Sequence, residues 1–410
     1  MGKNTNKQYD LLIIGAGAAG MMAAITAARE QKKVCILEKQ NKAGKKLLAT
    51  GNGKCNFTNA NMDASCFGGD QKFLSQVLEE FSVQNCLDFF HSIGIYPKNK
   101  NGYYYPNSEQ AVSVVNALVF ELERLGVKIS YETEIQTIVS KENSVAVSTN
   151  KGTYSGKKLL IATGLLAAPK LGSDGSLFSF IKNFGHRFSP ILPALCGFTC
   201  KGIDFKKVQG VRAQGNVTAL IDGKFAAEDT GEIQFTNYGL SGIPIFQISR
   251  YLSKGLYQKS KVQIQINLLP EMDRELLLKE LRYRKQVCAE QTADILLNGL
   301  IHQLLSDMVL QKLHLDKHIF CSAISEQEIE KMADMLQHII VTVTNYRDFE
   351  FAQVCTGGIP VTDIHWTNLE SKYVKNIHFA GEILDVDGIC GGYNLHFAWA
   401  TGYIVGKHCF

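Results

Sequence analysis

Residues 9–39 read YDLLIIGAGAAGMMAAITAAREQKKVCILEK, and this stretch limits the fold more than any other. The apolar run ending at Ile14 has the character of a strand buried on both faces of a parallel sheet. Gly15, Gly17 and Gly20 follow as G-x-G-x-x-G, with Ala18 and Ala19 between the last two. The first glycine makes a tight turn, the second lets a backbone approach a pyrophosphate, and the third lets the next helix pack on the strand. An alanine-rich helix is expected to about Glu30, then a second strand, KVCIL, that ends in Glu38 and Lys39. A carboxylate about 20 residues beyond the glycines suits hydrogen bonds to an adenosine ribose and disfavours a 2′-phosphate. The segment therefore predicts dinucleotide binding, with FAD and NAD both open and NADP disfavoured.

A second glycine-rich run, LLATGNGKCNFTNAN, occupies residues 47–61. It is not a nucleoside-triphosphate loop, because Leu48 and Cys55 stand where the Walker pattern needs Gly and Ser or Thr. Thr50, Gly51, Gly53, Cys55 and Asn56 instead make a loop that a ligand can approach closely. Gly44, Lys45 and Lys46 precede it, and the two ammonium groups could offset phosphate charge. A second loop so near the first suits the longer flavin dinucleotide, whose ribityl chain it could follow to the ring.

DLLIIGAGAAGMMAA, EKQNKAGKKLLATGNGKCNFTN and HFAGEILDVDGICGGYNLHFAWATGYIVGK together resemble a bacterial flavoprotein family. Its members are labelled aminoacetone-oxidase-like or NAD(P)/FAD-dependent oxidoreductases, and some are described as bile-acid reductases. The resemblance runs from end to end. It implies an α/β fold: a glutathione-reductase-type, Rossmann-like FAD domain with a parallel sheet, made from both ends of the chain around an inserted β plus helical domain. The expected boundaries are residues 1–190 and 344–410 for the FAD domain and 191–343 for the insert, with its β unit at about 191–268 and helices at about 269–338. The family's Ser-Gly-Gly-Gly-Arg-Cys-Asn becomes TGNGKCN, with Asn52 for Gly and Lys54 for Arg. Leu165 replaces a second glycine after Ala162, Thr163 and Gly164, and is expected to alter the wall beside the flavin.

The resemblance also implies further cofactor contacts. The strand in GKKLLIATG ends beside the flavin at Ala162, Thr163 and Gly164, and backbone near Ile135 touches the adenine. A strand at 377–379 leads into Gly381 and Glu382, under the pyrophosphate and ribityl chain. Asp387, Gly388 and Ile389 follow, then a last helix from about Tyr393. Its N-terminus, near Gly392, Tyr393 and Asn394, would stabilise negative charge on the reduced ring. Ala398, Gly402 and Gly406, spaced by four, should form a smooth face that presses on the sheet.

In the middle of the chain, GNVTALIDGKFAAEDTGEIQFT reads as a hairpin turning at Asp222-Gly223. Three later runs, 270–285, 289–313 and 325–339, have helical spacing, the last with a Ser325–Glu328 capping box. The insert is expected to roof the flavin and select the substrate. It holds no evident catalytic set, so the catalytic residues stay unassigned. Tyr103, Tyr104 and Tyr105 read mainly as packing surfaces, His396 as a satisfied core histidine, and Cys55 and Cys390 as space-fillers.

Composition excludes other classes. A net charge of +4 is slight for a nucleic-acid binder, and KGIDFKK and KELRYRK read as solvated faces. No apolar run reaches membrane-spanning length, and the polar N-terminal decapeptide has neither a secretory signal nor a myristoylation pattern. Eleven cysteines without C-x-x-C or zinc-ligand spacing point to reduced thiols in the cytoplasm, with no metal. The expected activity is hydride transfer through flavin N5 to or from a small organic molecule, by resemblance an enone. Rival readings are an amine oxidase using oxygen and a low-turnover redox sensor or RNA-associated factor. There is no second G-x-G-x-x-G, which leaves NAD(P)H as a transiently docking donor at most. Nothing in the sequence sets the oligomeric state.

Overall fold

The computed structural model describes residues 8–410; the N-terminal residues on which the signal and myristoylation readings partly rest lie outside them. The chain begins with β1 (Gln8–Ile14), α1 (Ala18–Arg29) and β2 (Val34–Leu37), all of β2 being buried. The glycines act as expected. A β-carbon on Gly15 would lie 2.6 Å from the Ala162 carbonyl oxygen, and one on Gly20 would lie 2.0 Å from the Gly15 carbonyl oxygen. After the second loop come β3 (Thr58–Asn59), β4 (Pro97–Lys100) and β5 (Tyr103–Pro106), which form a small antiparallel sheet. The helix α2 (Ala111–Arg124) leads to β6 (Lys128–Ser130), β7 (Ile135–Lys141), β8 (Ser144–Thr149) and β9 (Gly152–Ile161).

Residues 193–352 form a separate compact unit. Its strands are β10 (Phe198–Lys201), β11 (Arg212–Ile221), β12 (Lys224–Phe235), β13 (Gly239–Ser241), β14 (Val262–Asn267) and β15 (Ile339–Tyr346). They close into a barrel in the order β10-β13-β12-β11-β14-β15. The β11–β12 turn sits at Asp222 and Gly223, both left-handed at φ 52° and 76°, as a type I′ hairpin requires. The helices at Arg274–Val287 and Glu326–Gln337 match the helical spacing, the second with its capping box. The run 289–313 does not stay helical. It breaks into Ala293–Leu296 and Gln303–Lys312, with Gly299 at φ 78° between them. The sequence reading also returned to the FAD domain near 344, whereas VTVTNY is β15, whose alternating buried residues close the barrel.

The last segment adds β16 (Ile377–Phe379) and α3 (Tyr393–His408). The main sheet runs β6-β2-β1-β9-β8-β7, with β16 beside β9. Its β6, β2, β1, β9 and β16 pairings are parallel, and β9-β8-β7 is an antiparallel meander. The small residues of α3 press on α1 rather than on the sheet. A β-carbon on Gly402 would lie 2.4 Å from the Ala19 carbonyl oxygen, and one on Gly406 would lie 2.6 Å from that of Ala23. On another side of α3, Trp399 is fully buried, donates to the Phe57 carbonyl at 3.1 Å and meets Phe90 edge-on at 5.2 Å. His396 is equally buried, between the Thr58 hydroxyl (2.8 Å from Nδ1) and the Phe81 carbonyl (3.0 Å from Nε2).

Two outcomes follow. Gly402→Ala should lower the unfolding free energy of the apoprotein by about 1–3 kcal/mol in urea titration, because backbone faces backbone and neither side can yield. Burial holds the His396 imidazole down to about 4 from its ordinary 6.5. The unfolded chain therefore takes up a proton below pH 6.5 that the native state refuses. Stability present above 6.5 should be lost as pH falls toward 4, at up to about 1.4 kcal/mol per pH unit for this group. His396→Asn should remove that part of the slope; an unaltered slope in pH-dependent urea titrations would contradict it.

Candidate functional site

The first turn of α1 is open. No side chain caps it at Gly17, and a β-carbon placed there would meet nothing within 4 Å. The backbone N–H groups of such an end, with their partial positive charge, favour an anion. Ala18 and Ala19 continue this turn into the helix. Glu38, 9% exposed, closes the other side. Its Oε2 accepts from the Ala16 N–H at 2.6 Å and its Oε1 from the Gln40 N–H at 2.7 Å. Burial raises its pKa, and these hydrogen bonds oppose the rise. The carboxylate thus fixes the glycine turn itself, and each oxygen keeps a lone pair for a hydroxyl. The loop before Ile135 runs beside it, since the Thr133 N–H donates to the Glu38 carbonyl at 2.9 Å. Lys39 pairs with Asp174 at 2.5 Å.

The second loop is tied to the first by the Gly44 N–H, which donates to the Ala16 carbonyl at 2.9 Å. The two expected phosphate cations are already engaged. Lys45 donates to Gln40 Oε1 at 2.7 Å, and Lys46 pairs with Glu382 at 2.5 Å. Gly51, Asn52, Gly53 and Cys55 are all left-handed, at φ 55°, 53°, 81° and 58°. Thr50 pins the loop's start by donating to the Leu47 carbonyl at 2.6 Å. Cys55 is fully buried, and burial pushes its thiol up to about 12, which suits a space-filler. Asn56 Oδ1 is buried without a hydrogen-bond partner.

The third contribution comes from the C-terminal segment. Glu382 also accepts from the Cys355 N–H at 2.9 Å, and a β-carbon on Gly164 would lie 3.2 Å from its Oε2. Ala162 and Thr163 lie against Gly15, and the Ala162 N–H donates to the Ile14 carbonyl at 2.9 Å. Leu165 does not line a wall there: it is fully buried in the core. Gly381 faces Ala19, with its N–H donating to Thr401 at 2.9 Å. Asp387 pairs with Gly68 and Gly388 with Phe67, and the Ile389 N–H donates to the Cys66 carbonyl at 3.0 Å.

Asn394 is spent on structure, bonding the Gly388 N–H and carbonyl at 2.8 Å each. Tyr393 is buried and donates to the Asn61 carbonyl at 3.2 Å. Gly392, at the start of α3, also makes room for the second loop, since a β-carbon there would lie 2.8 Å from both Asn56 Oδ1 and the Thr58 carbonyl oxygen.

The loops around Gly15, Gly44, Gly51, Gly164 and Gly381 thus meet in one floor, with Glu38 and the Ile135 strand at one end and the α3 N-terminus at the other. Two observations test it against FAD. The space over Gly17 accepts a group that the chain does not fill, and the orphaned Asn56 Oδ1 at the other end awaits a donor; an N–H or hydroxyl of a flavin dinucleotide supplies one. The residues fit. Sequence reasoning missed Thr401, Asp174 and Asn59, whose amide donates to the Gly391 carbonyl at 2.9 Å. Their roles are set by partners distant in the chain, which spacing does not reveal. Among the described residues no group of His, Cys, Asp and Glu is placed to hold a metal.

Comparison with known proteins gives the family. The model described as "HI0933-like protein Rossmann domain" matches residues 9–408. The chain is 39% identical over 398 residues to the 3-dehydro-bile acid delta(4,6)-reductase of Clostridium scindens, covering 96% of this chain and 97% of that one. It is 28% identical over 400 residues to the ribosomal RNA dihydrouridine synthase of Escherichia coli, covering 97% of each. Among solved structures, the 3-ketosteroid-delta4-(5alpha)-dehydrogenase of Rhodococcus jostii RHA1 shares the fold, with a TM-score of 0.52 at 14% identity over 99% of this chain and 98% of that one. The glycine turn, the second loop and the C-terminal helix are therefore those of the HI0933-like Rossmann family, to which this chain belongs as an FAD-dependent oxidoreductase.

Proposed function

We propose that this protein reduces a carbon–carbon double bond conjugated to a carbonyl in a small organic substrate. The observation that carries the reading is end-to-end similarity, at 39% identity, to a relative named for such a reduction of a 3-oxo bile acid. The 28%-identical relative is named for making dihydrouridine, a reduction of a ring double bond that is also conjugated to a carbonyl. The bond type is thus shared while the substrates differ in size. The slight net charge of +4 supports the small molecule over nucleic acid.

Gly15, Gly17, Ala18, Ala19 and Gly20 would take the pyrophosphate on the open end of α1, and Glu38 the ribose. Backbone at Ile135 would border the adenine. Ala162 to Gly164 and Gly381 with Glu382 would form the floor, where Glu382 holds Lys46 and limits the charge that lysine offers to phosphate. Thr50 to Asn56 would follow the ribityl chain, and residues 387–394 would put the α3 N-terminus at the ring, where its N–H groups favour developing negative charge. Bound FAD supplies the hydride chemistry at N5. NADH or NADPH, docking transiently, is the electron donor we assign. All eleven cysteines are unbridged, in keeping with the reducing cytoplasm. No described helix is long and apolar enough to cross a membrane.

Gly17→Val should change the stability of the apoprotein by no more than about 1 kcal/mol, since a β-carbon there meets nothing within 4 Å, yet weaken FAD binding by about tenfold or more. Full FAD affinity in a titration of the apoprotein would remove the pyrophosphate assignment. Glu38→Ala should likewise weaken FAD retention. The activity is tested by anaerobic mixing of the yellow protein with NADH or NADPH, followed by a 3-oxo-4-ene steroid. Bleaching, then recovery of colour with a product heavier by two hydrogens, is expected. Bleaching by amines with peroxide release in air would establish the oxidase instead.

A further inference from the structure

One face of the β4–β5 hairpin differs from the rest of the nucleotide-binding unit. Its register puts Lys98 opposite Tyr105 and Lys100 opposite Tyr103, so the four side chains share a face. That face reaches two segments of the candidate site. The Tyr103 ring borders Gly391, whose β-carbon would lie 2.9 Å from Tyr103 Cε1. The Tyr105 ring borders Gly51, whose β-carbon would lie 3.7 Å from Tyr105 Cε1. The packing role expected of these tyrosines is therefore packing against the site.

Lys54 joins the face from the second loop, at the position where the resembling family carries arginine. Lys54, Lys98 and Lys100 converge on Glu109, at 3.4, 3.1 and 2.5 Å. Together they hold its carboxyl down to about 2. One carboxylate cannot neutralise three ammonium groups, and the lysine side chains remain 42–51% exposed. The hairpin thus offers uncompensated positive charge next to phenol rings that offer apolar faces and hydroxyl donors.

We propose that Lys54, Lys98 and Lys100 form a recognition site for the anionic end of the substrate, a carboxylate or a group of like charge, with its apolar body against Tyr103 and Tyr105. This rests on the enone reading, because Gly51 and Gly391 belong to the segments assigned to the ring end of FAD. Charge selects the substrate here, and Glu109 sets how much charge is free to do so. Removing Glu109 should therefore strengthen anion binding, whereas removing the lysines should abolish the preference.

The test uses the oxidised holoenzyme and a matched pair, 3-oxochol-4-en-24-oate and its methyl ester. Flavin fluorescence reports equilibrium binding, and kcat/KM is measured for both. The wild type should bind the acid about tenfold more tightly than the ester, an advantage that fades in about 0.5 M salt. The double variant Lys98→Gln/Lys100→Gln should bring the acid-to-ester ratio close to one, and Glu109→Gln should widen it. Equal affinity for acid and ester, with both reduced, overturns the anion site and leaves the reductase reading standing. Salt-sensitive, lysine-dependent binding of the acid with neither compound reduced supports the site and sinks the reductase reading. Lysine-dependent binding of a uridine oligonucleotide without preference for the acid overturns the proposal in favour of RNA.

Discussion

The nucleotide-binding unit depends on one close approach. Backbone of α3 lies on backbone of α1 at Gly402 and Gly406, against the carbonyl oxygens of Ala19 and Ala23. This contact fixes where the glycine turn stands relative to the C-terminal loop. Gly381 meets Ala19 in the same layer, and Thr401 holds the Gly381 N–H. Dense packing of this kind transmits position, because a well-packed interior has little slack. The floor of the site is therefore assembled by segments from opposite ends of the sequence with no disulfide between them.

Charge in the floor is largely neutralised from within. Lys46 answers Glu382, Lys39 answers Asp174, and the Glu38 carboxylate is met by backbone N–H groups rather than by a cation. On the assignment proposed above, a dinucleotide's phosphates are left to backbone dipoles, which need no side chain to be ordered on binding. The hairpin of Lys98 and Lys100 is built the other way, with its cations outnumbering Glu109 and open to water. Within one unit, one stretch thus offers fixed dipoles and the other solvent-exposed charges.

Much of this was legible in the sequence. The turn at Gly15 to Gly20, the strand at Ile377–Phe379 and the helix from Tyr393 stand where local pattern and resemblance put them. Those elements have strong short-range signals. The misreadings share a cause. The small face of α3 was aimed at the sheet because spacing reveals smoothness and not the partner. The run 289–313 keeps helical periodicity through Gly299, whose left-handed φ breaks the helix. The barrel's last strand follows a helix and pairs with a strand about 140 residues earlier, which no local window detects. That Gly392 lies against Thr58, in a segment from the other end of the chain, is equally invisible to spacing.

The order of the chain has a consequence for its synthesis. Helix α1 leaves the ribosome early, and the strip of it at Ala19, Ala23 and Thr26 is covered by the last helix. The covering helix follows after more than 360 residues, a whole barrel later. During that delay the barrel can fold alone, since its strands close on one another. The nascent nucleotide-binding unit has to wait, half-made and sticky, for its last turn of helix. A nonsense mutation late in the reading frame would release a polypeptide with a sound barrel and an unprotected strip, a natural client for chaperones and proteases.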